Sequence, residues 1–226
     1  NESVTGTALP AGWEQTNTTV GSGIAFTSAA STLTMPAYNL SGYSNISVKL
    51  QIAKLASTDD SEPLTVNVST DGGATWNAQV FDTNPTNSSV LTVTGVITAV
   101  SSNVKIRLTR QNSTGAIKLT RFILSGTGVP SAALSGSLNE TSLGGASIVA
   151  TLTNTTYVSS LNAGSFGLNN APIGVSIASV IRTSNTQATI ILAYSGYDFD
   201  TDVNNFSVTI GTNQTMAGIA FTTNTV

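Results

Sequence analysis

The sequence predicts an all-β chain folded as two β-sandwich domains, residues 1–128 and 129–226. Several short segments alternate apolar and polar residues with period two, as half-buried strands do. Clusters of Gly, Asn, Asp and Ser separate them, which is turn chemistry. No segment of useful length spaces its apolar residues by three, four and seven, so almost no helix is expected.

In the first half, Ile46-Ser47-Val48-Lys49-Leu50-Gln51-Ile52 puts Ile46, Val48, Leu50 and Ile52 on one face. Leu64–Val68 and Val104–Leu108 alternate in the same way, and Ala116–Leu124 reads as a less regular strand. Leu124-Ser125-Gly126-Thr127-Gly128-Val129-Pro130-Ser131 then reads as a strand running out into a linker, punctuated by Gly and Pro, which places the domain boundary. In the second half the expected strands are Ser147–Thr153, Gly174–Arg182, Gln187–Tyr194, Phe206–Ile210 and a last one at Gly218–Thr222. Gln187–Tyr194 is apolar on both faces near its end, as a central strand would be.

At 226 residues the chain is long enough to bury a core without staples. Only 8% of its residues are charged, against about 25% in average proteins, and Ser, Thr, Asn and Gly fill the gap. Cysteine and histidine are absent, which excludes disulfides and thiolate or imidazole metal sites. No apolar run reaches the ~18 residues of a membrane span. The chain starts at Asn1 rather than Met, which fits an exported product with its signal peptide removed and an extracellular or cell-surface location. The seven acids and seven bases of residues 1–130 balance, while residues 131–226 carry Glu140, Asp198, Asp200 and Asp202 against Arg182 alone. No phosphate-binding field results, so nucleic acid is not an expected partner.

The sharpest local pattern is Ser69-Thr70-Asp71-Gly72-Gly73-Ala74-Thr75-Trp76. Asp71 is placed to accept hydrogen bonds from the turn backbone, and Gly72 and Gly73 supply backbone angles other residues avoid. The pattern resembles the Asp-box, Ser-x-Asp-x-Gly-x-Thr-Trp, of sialidase propellers and other secreted β proteins. That resemblance implies a structural hairpin built by Ser69, Asp71, Gly73, Thr75 and Trp76, with Trp76 mainly in the core. The box occurs once, so a propeller is not expected.

Asp198, Asp200 and Asp202 alternate with other residues. In a loop their oxygens could converge on calcium, the only cofactor the sequence raises; the plainer reading is a solvated acidic loop. Asp59, Asp60 and Glu62 form a smaller cluster of the same kind. No acid lies in an apolar strand context that would raise its pKa for general-acid work, no histidine serves as a base, and no Gly-rich phosphate cradle precedes a helix. No catalytic residues are assigned and no enzyme is expected. Among the aromatics, Trp13, Tyr38, Tyr43, Tyr157, Tyr194 and Tyr197 could stack on a sugar ring, and Trp13, Tyr194 and Tyr197 are the candidates carried forward. The plainer reading makes Trp13 a core plug and the tyrosines rim residues, and Tyr194 and Tyr197, flanking Ser195-Gly196, are the pair expected to be exposed. Asn-x-Ser/Thr sequons are dense, and they matter only if the source glycosylates its surface proteins.

Residues 9–126 resemble the jelly-roll modules of modular proteins secreted by bacteria. The likeness is carried by Leu9-Pro10-Ala11-Gly12-Trp13, Leu64–Trp76, Val104–Leu108 and Ile117–Gly126. Where that family often has an acidic-aromatic pair in its closing strand, Thr120-Arg121-Phe122 stands here, so no site is carried over. Residues 131–226 resemble an immunoglobulin-like module of bacterial surface proteins, through Arg182–Asp200 and Asn205–Ile210. The resemblance implies a jelly-roll-like domain followed by an immunoglobulin-like one, in an extracellular setting.

Two functions are expected to compete. One is a structural or adhesive surface protein that associates with itself or with neighbouring surface proteins, into a filament or sheath, by strand addition. The second domain has no lysine to guard its sheet edges, and the segment Asn1 to Leu9 would be the donor. The other is a pair of carbohydrate-binding modules acting on a polysaccharide.

Overall fold

The computed structural model describes residues 2–3, 8–28, 30–55, 64–83, 89–98, 100–110, 116–197 and 202–226, with backbone alone at 2–3 and 77–83. Among the described residues the chain is all-β, with antiparallel sheets and three single-turn 3-10 helices at Glu140–Ser142, Ala163–Ser165 and Thr212–Gln214. It divides into two compact units, Asn1–Gly128 and Val129–Val226.

The first unit contains β1 (Glu2–Ser3), β2 (Glu14–Thr16), β3 (Thr18–Val20), β4 (Ile24–Phe26), β5 (Ser31–Thr34), β6 (Tyr43–Lys54), β7 (Leu64–Ser69), β8 (Asn77–Thr83), β9 (Leu91–Ile97), β10 (Lys105–Arg110) and β11 (Ile117–Gly128). One sheet runs β3-β4-β11-β6-β9 with β1 also on β11; the other runs β2-β5-β10-β7-β8. Period two decides which side chains meet, except in β11, where a register shift between Leu119 and Arg121 brings both Leu119 and Phe122 inward. Val48, Leu50 and Ile52 of β6 and Leu119 and Phe122 of β11 point inward from the first sheet. Leu33, Val66, Ile106 and Leu108 do so from the second, and all join one buried core. Two sheets sharing one core are compatible with a sandwich.

The second unit contains β12 (Ser131–Ser135), β13 (Ser147–Thr153), β14 (Phe166–Asn169), β15 (Val175–Arg182), β16 (Gln187–Tyr194), β17 (Ser207–Ile210) and β18 (Phe221–Thr222). Its sheets run β12-β13-β16-β15 and β14-β17-β18, so β16 is an interior strand. Ile148, Leu152, Ile190 and Leu192 pack with Phe166, Val208, Ile210 and Phe221 in a core of their own. Tyr157 lies in it, 2% exposed, its hydroxyl donating to the Ala150 carbonyl at 3.3 Å; burial pushes its phenol well above the ordinary value.

The strand expected at Gly218–Thr222 is shorter than that, and only Phe221 and Thr222 pair with β17. Gly218 instead closes a turn, with φ +66° and its N–H donating to the Thr215 carbonyl at 3.2 Å. Part of the asparagine excess is also turn chemistry. Asn17, Asn45, Asn154 and Asn170 take positive φ, a region that asparagine tolerates better than most residues.

Candidate functional site

The best-defined polar site is the turn that joins β7 to β8. β7 ends at Ser69, whose buried hydroxyl donates to Asp71 Oδ1 at 2.6 Å and accepts the Gly73 N–H at 2.7 Å. The Asp71 carboxylate accepts the Thr75 N–H on both oxygens, at 2.9 and 3.0 Å, and the Thr75 hydroxyl at 2.5 Å. Gly72 and Gly73 hold φ of +77° and +101°. It is this backbone that favours glycine at Gly72, because the atom a Cβ there would meet, Asn103 Nδ2, is the end of a side chain that can turn aside. The Ser69 hydroxyl first, then the Thr75 hydroxyl and N–H, hold the Asp71 carboxyl well below the usual carboxylate range. Its lone pairs are spent inside the turn, so it is a fixed anion that organises a hairpin and has no proton to give.

Trp76, expected mainly in the core, stands outside it. It is half-buried, and the Arg107 guanidinium lies 4.0 Å above its ring centroid. Arg107 is on β10 opposite Thr34 of β5 and Asn67 of β7. Lys105, two residues earlier on the same face, pairs with Glu14 of β2 at 3.6 Å. Sequence reasoning missed this Trp76–Arg107 stack. The signal was present: in Val104–Leu108 the apolar residues alternate inward, which turns Lys105 and Arg107 outward beside the hairpin.

Trp13 is 6% exposed and meets Phe122 edge-on, with ring centroids 5.5 Å apart at 87°, so its faces belong to the core and not to a sugar. Tyr194 and Tyr197 do not form the exposed pair expected of them. Tyr194 is half-buried against the second core and its hydroxyl donates to Glu140 Oε1 at 3.4 Å, while Tyr197 is 60% exposed. The cause is strand geometry, since Tyr194 still belongs to β16 whereas Tyr197 lies beyond its end.

Asp202 lines an open cleft of about 700 Å³ in the second unit, with Asn139, Glu140 and Asn204 at its polar wall and Leu143 and Phe206 among its apolar residues. Asp198 and Asp200 lie outside the described residues, as do Asp59, Asp60 and Glu62. Among the described residues, no group of three or more acidic, cysteine or histidine side chains could hold a metal ion. Of the segment Asn1 to Leu9, residues 1 and 4–7 are outside the described set. Glu2 and Ser3 pair with Phe122 and Arg121 of the chain's own β11, and Leu9 packs against the first core.

No helix among the described residues is long and apolar enough to cross a membrane. No protein-family model matches this chain, and no curated protein matches it in sequence.

Proposed function

We propose that the chain is a non-catalytic extracellular structural or adhesive protein that associates with itself or its neighbours through the edges of its sheets. The observation that carries this reading is the state of those edges. The second unit has no lysine, so among the described residues β12, β14 and β18 are edge strands without the usual lysine guard, while β15 ends in Arg182, the unit's lone base. With 8% charged residues, two copies approaching each other meet little ionic repulsion. The best-defined carboxylate, Asp71, is committed to a turn, which favours a scaffold over an acid–base centre. Size-exclusion chromatography with negative-stain imaging tests the reading. Large oligomers or fibres are expected; a protein that stays strictly monomeric at high concentration contradicts it.

A second reading, binding to a polysaccharide, is favoured by the Trp76–Arg107 stack on the outer face of the first unit and by the exposed Tyr197. It expects retention on an insoluble polysaccharide that weakens in Trp76→Ala or Tyr197→Ala. Retention unchanged by both substitutions removes it.

A further inference from the structure

An edge strand presents a row of unpaired N–H and C=O groups, and natural sheets blunt such edges with charge, proline or a bulge. β9 has none of these. Its sequence, Leu91-Thr92-Val93-Thr94-Gly95-Val96-Ile97, carries no charge and no proline. It pairs with β6 in unbroken register, from Ile46 opposite Ile97 to Ile52 opposite Leu91. Among the described residues β6 is its sole strand partner. β15, an edge of the second unit, differs on both counts: its register breaks between Ile177 and Ser179, and it ends in Arg182.

The surface around β9 is unusually apolar. Val90, Leu91, Val96 and Val100 are 57%, 38%, 63% and 48% exposed; they are four of the twelve exposed large hydrophobic side chains among the described residues. A seven-residue window of high β-propensity without charge or proline is the pattern that pairs with other chains.

We propose that β9 pairs antiparallel with β9 of a second copy of this chain. This deepens the assembly reading above and rests on it. Directly opposed residues in a sheet share a face, so inward residues must meet inward residues. Among registers that obey this, the one that sets Thr94 against Thr94 of the second copy overlaps all seven residues. It also places Leu91 against Ile97, Thr92 against Val96 and Val93 against Gly95, so that the valine covers the bare glycine. No like charges meet. Lys49, opposite Thr94 on β6, stands three strand spacings from its counterpart, about 14 Å, beyond the ~8 Å Debye length of physiological salt. The paired strands run for about 24 Å, which makes a contact at the small end of specific interfaces, below about 1,200 Å². The dimer therefore forms and dissociates with protein concentration.

The native chain has no cysteine, so single-cysteine variants read the register directly. Under mild oxidation Thr94→Cys is expected to form disulfide dimers at least about tenfold faster than Thr92→Cys, whose sulfurs the register holds about 14 Å apart along the strands. Thr94→Lys, which sets two like charges opposite each other, is expected to abolish the concentration-dependent dimer in sedimentation while leaving the circular-dichroism spectrum unchanged. Equal cross-linking of the two cysteine variants, or none in either while both remain folded, overturns the proposal. A dimer that persists unchanged in Thr94→Lys overturns the β9 pairing and leaves the assembly reading standing. Cross-linking of Thr94→Cys beside a wild-type protein that never grows beyond a dimer keeps the pairing and removes the filament.

Discussion

The two units hold their corners with different chemistry. In the first, the tightest corner is held by a carboxylate, with Asp71 gathering the Ser69 hydroxyl and the Thr75 N–H and hydroxyl around one anion, and a lesser one by an amide, Asn39 Oδ1 accepting the Ser41 N–H at 3.2 Å. In the second, neutral amides do it. Asn139 Oδ1 accepts the Thr141 N–H at 3.0 Å, and Asn162 Oδ1 accepts the Gly164 N–H at 2.9 Å. Gln214, 3% exposed, accepts the Asn162 N–H at 2.8 Å. Asn224 accepts the Leu134 N–H at 2.7 Å and donates to its carbonyl at 3.2 Å, pinning the C-terminal segment to β12. The difference teaches where charge is tolerated. The first unit balances its acids with bases, whereas residues 131–226 have one base against four acids. A further carboxylate there would add repulsion, while an amide both donates and accepts without adding charge.

The comparison places the difference in the polar scaffold and not in the cores. Ile52 and Ile190 are both 0% exposed, on interior strands of the first and second units. Ile52→Ala and Ile190→Ala are each expected to cost about 2–5 kcal/mol in urea unfolding. Two similar costs keep the comparison intact, and a negligible cost at one site breaks it. Next in size is Gln214→Ala, which leaves the Asn162 N–H without its acceptor; the expected loss is about 1–3 kcal/mol, unchanged between about pH 3 and about pH 7 because no ionisable group is involved.

Asp71 gives the smallest effect and the opposite signature. Its carboxyl is held below its unfolded value of about 3.9, so the folded state binds protons less readily than the unfolded one. The stabilisation is present above about pH 4 and fades as pH falls toward the folded value. Wild type is therefore expected to lose stability relative to Asp71→Asn on acidification, measured as the difference between their denaturation midpoints at each pH. A difference that stays constant through the acid range contradicts the carboxylate's role in the turn.

Much of this fold is legible in the sequence where the signal is local. Ile46–Ile52, Leu64–Val68, Val104–Leu108 and Gln187–Tyr194 show their alternation without help, and the Ser69–Trp76 turn carries its own hydrogen-bonding partners. The short strands β2 to β5 are not legible, because three or four residues hold too little periodicity and non-local pairing alone makes them strands. β9 was missed for a different reason: Gly95 interrupts its inward-facing apolar row of Leu91, Val93 and Ile97. The candidate site divides in the same way. The Asp71 hydrogen bonds follow from spacing within the turn. The Trp76–Arg107 stack and the Tyr194–Glu140 contact depend on which strands become neighbours, and no single segment encodes that.

The account's central claim is that sheet edges, and β9 first among them, are what this chain offers to others. Hydrogen exchange of the β9 and β15 amides at rising protein concentration tests it most directly. The account predicts that exchange in β9 slows as concentration rises, that β15 is unaffected, and that Thr94→Lys removes the change. Exchange in β9 that is the same at every concentration contradicts it.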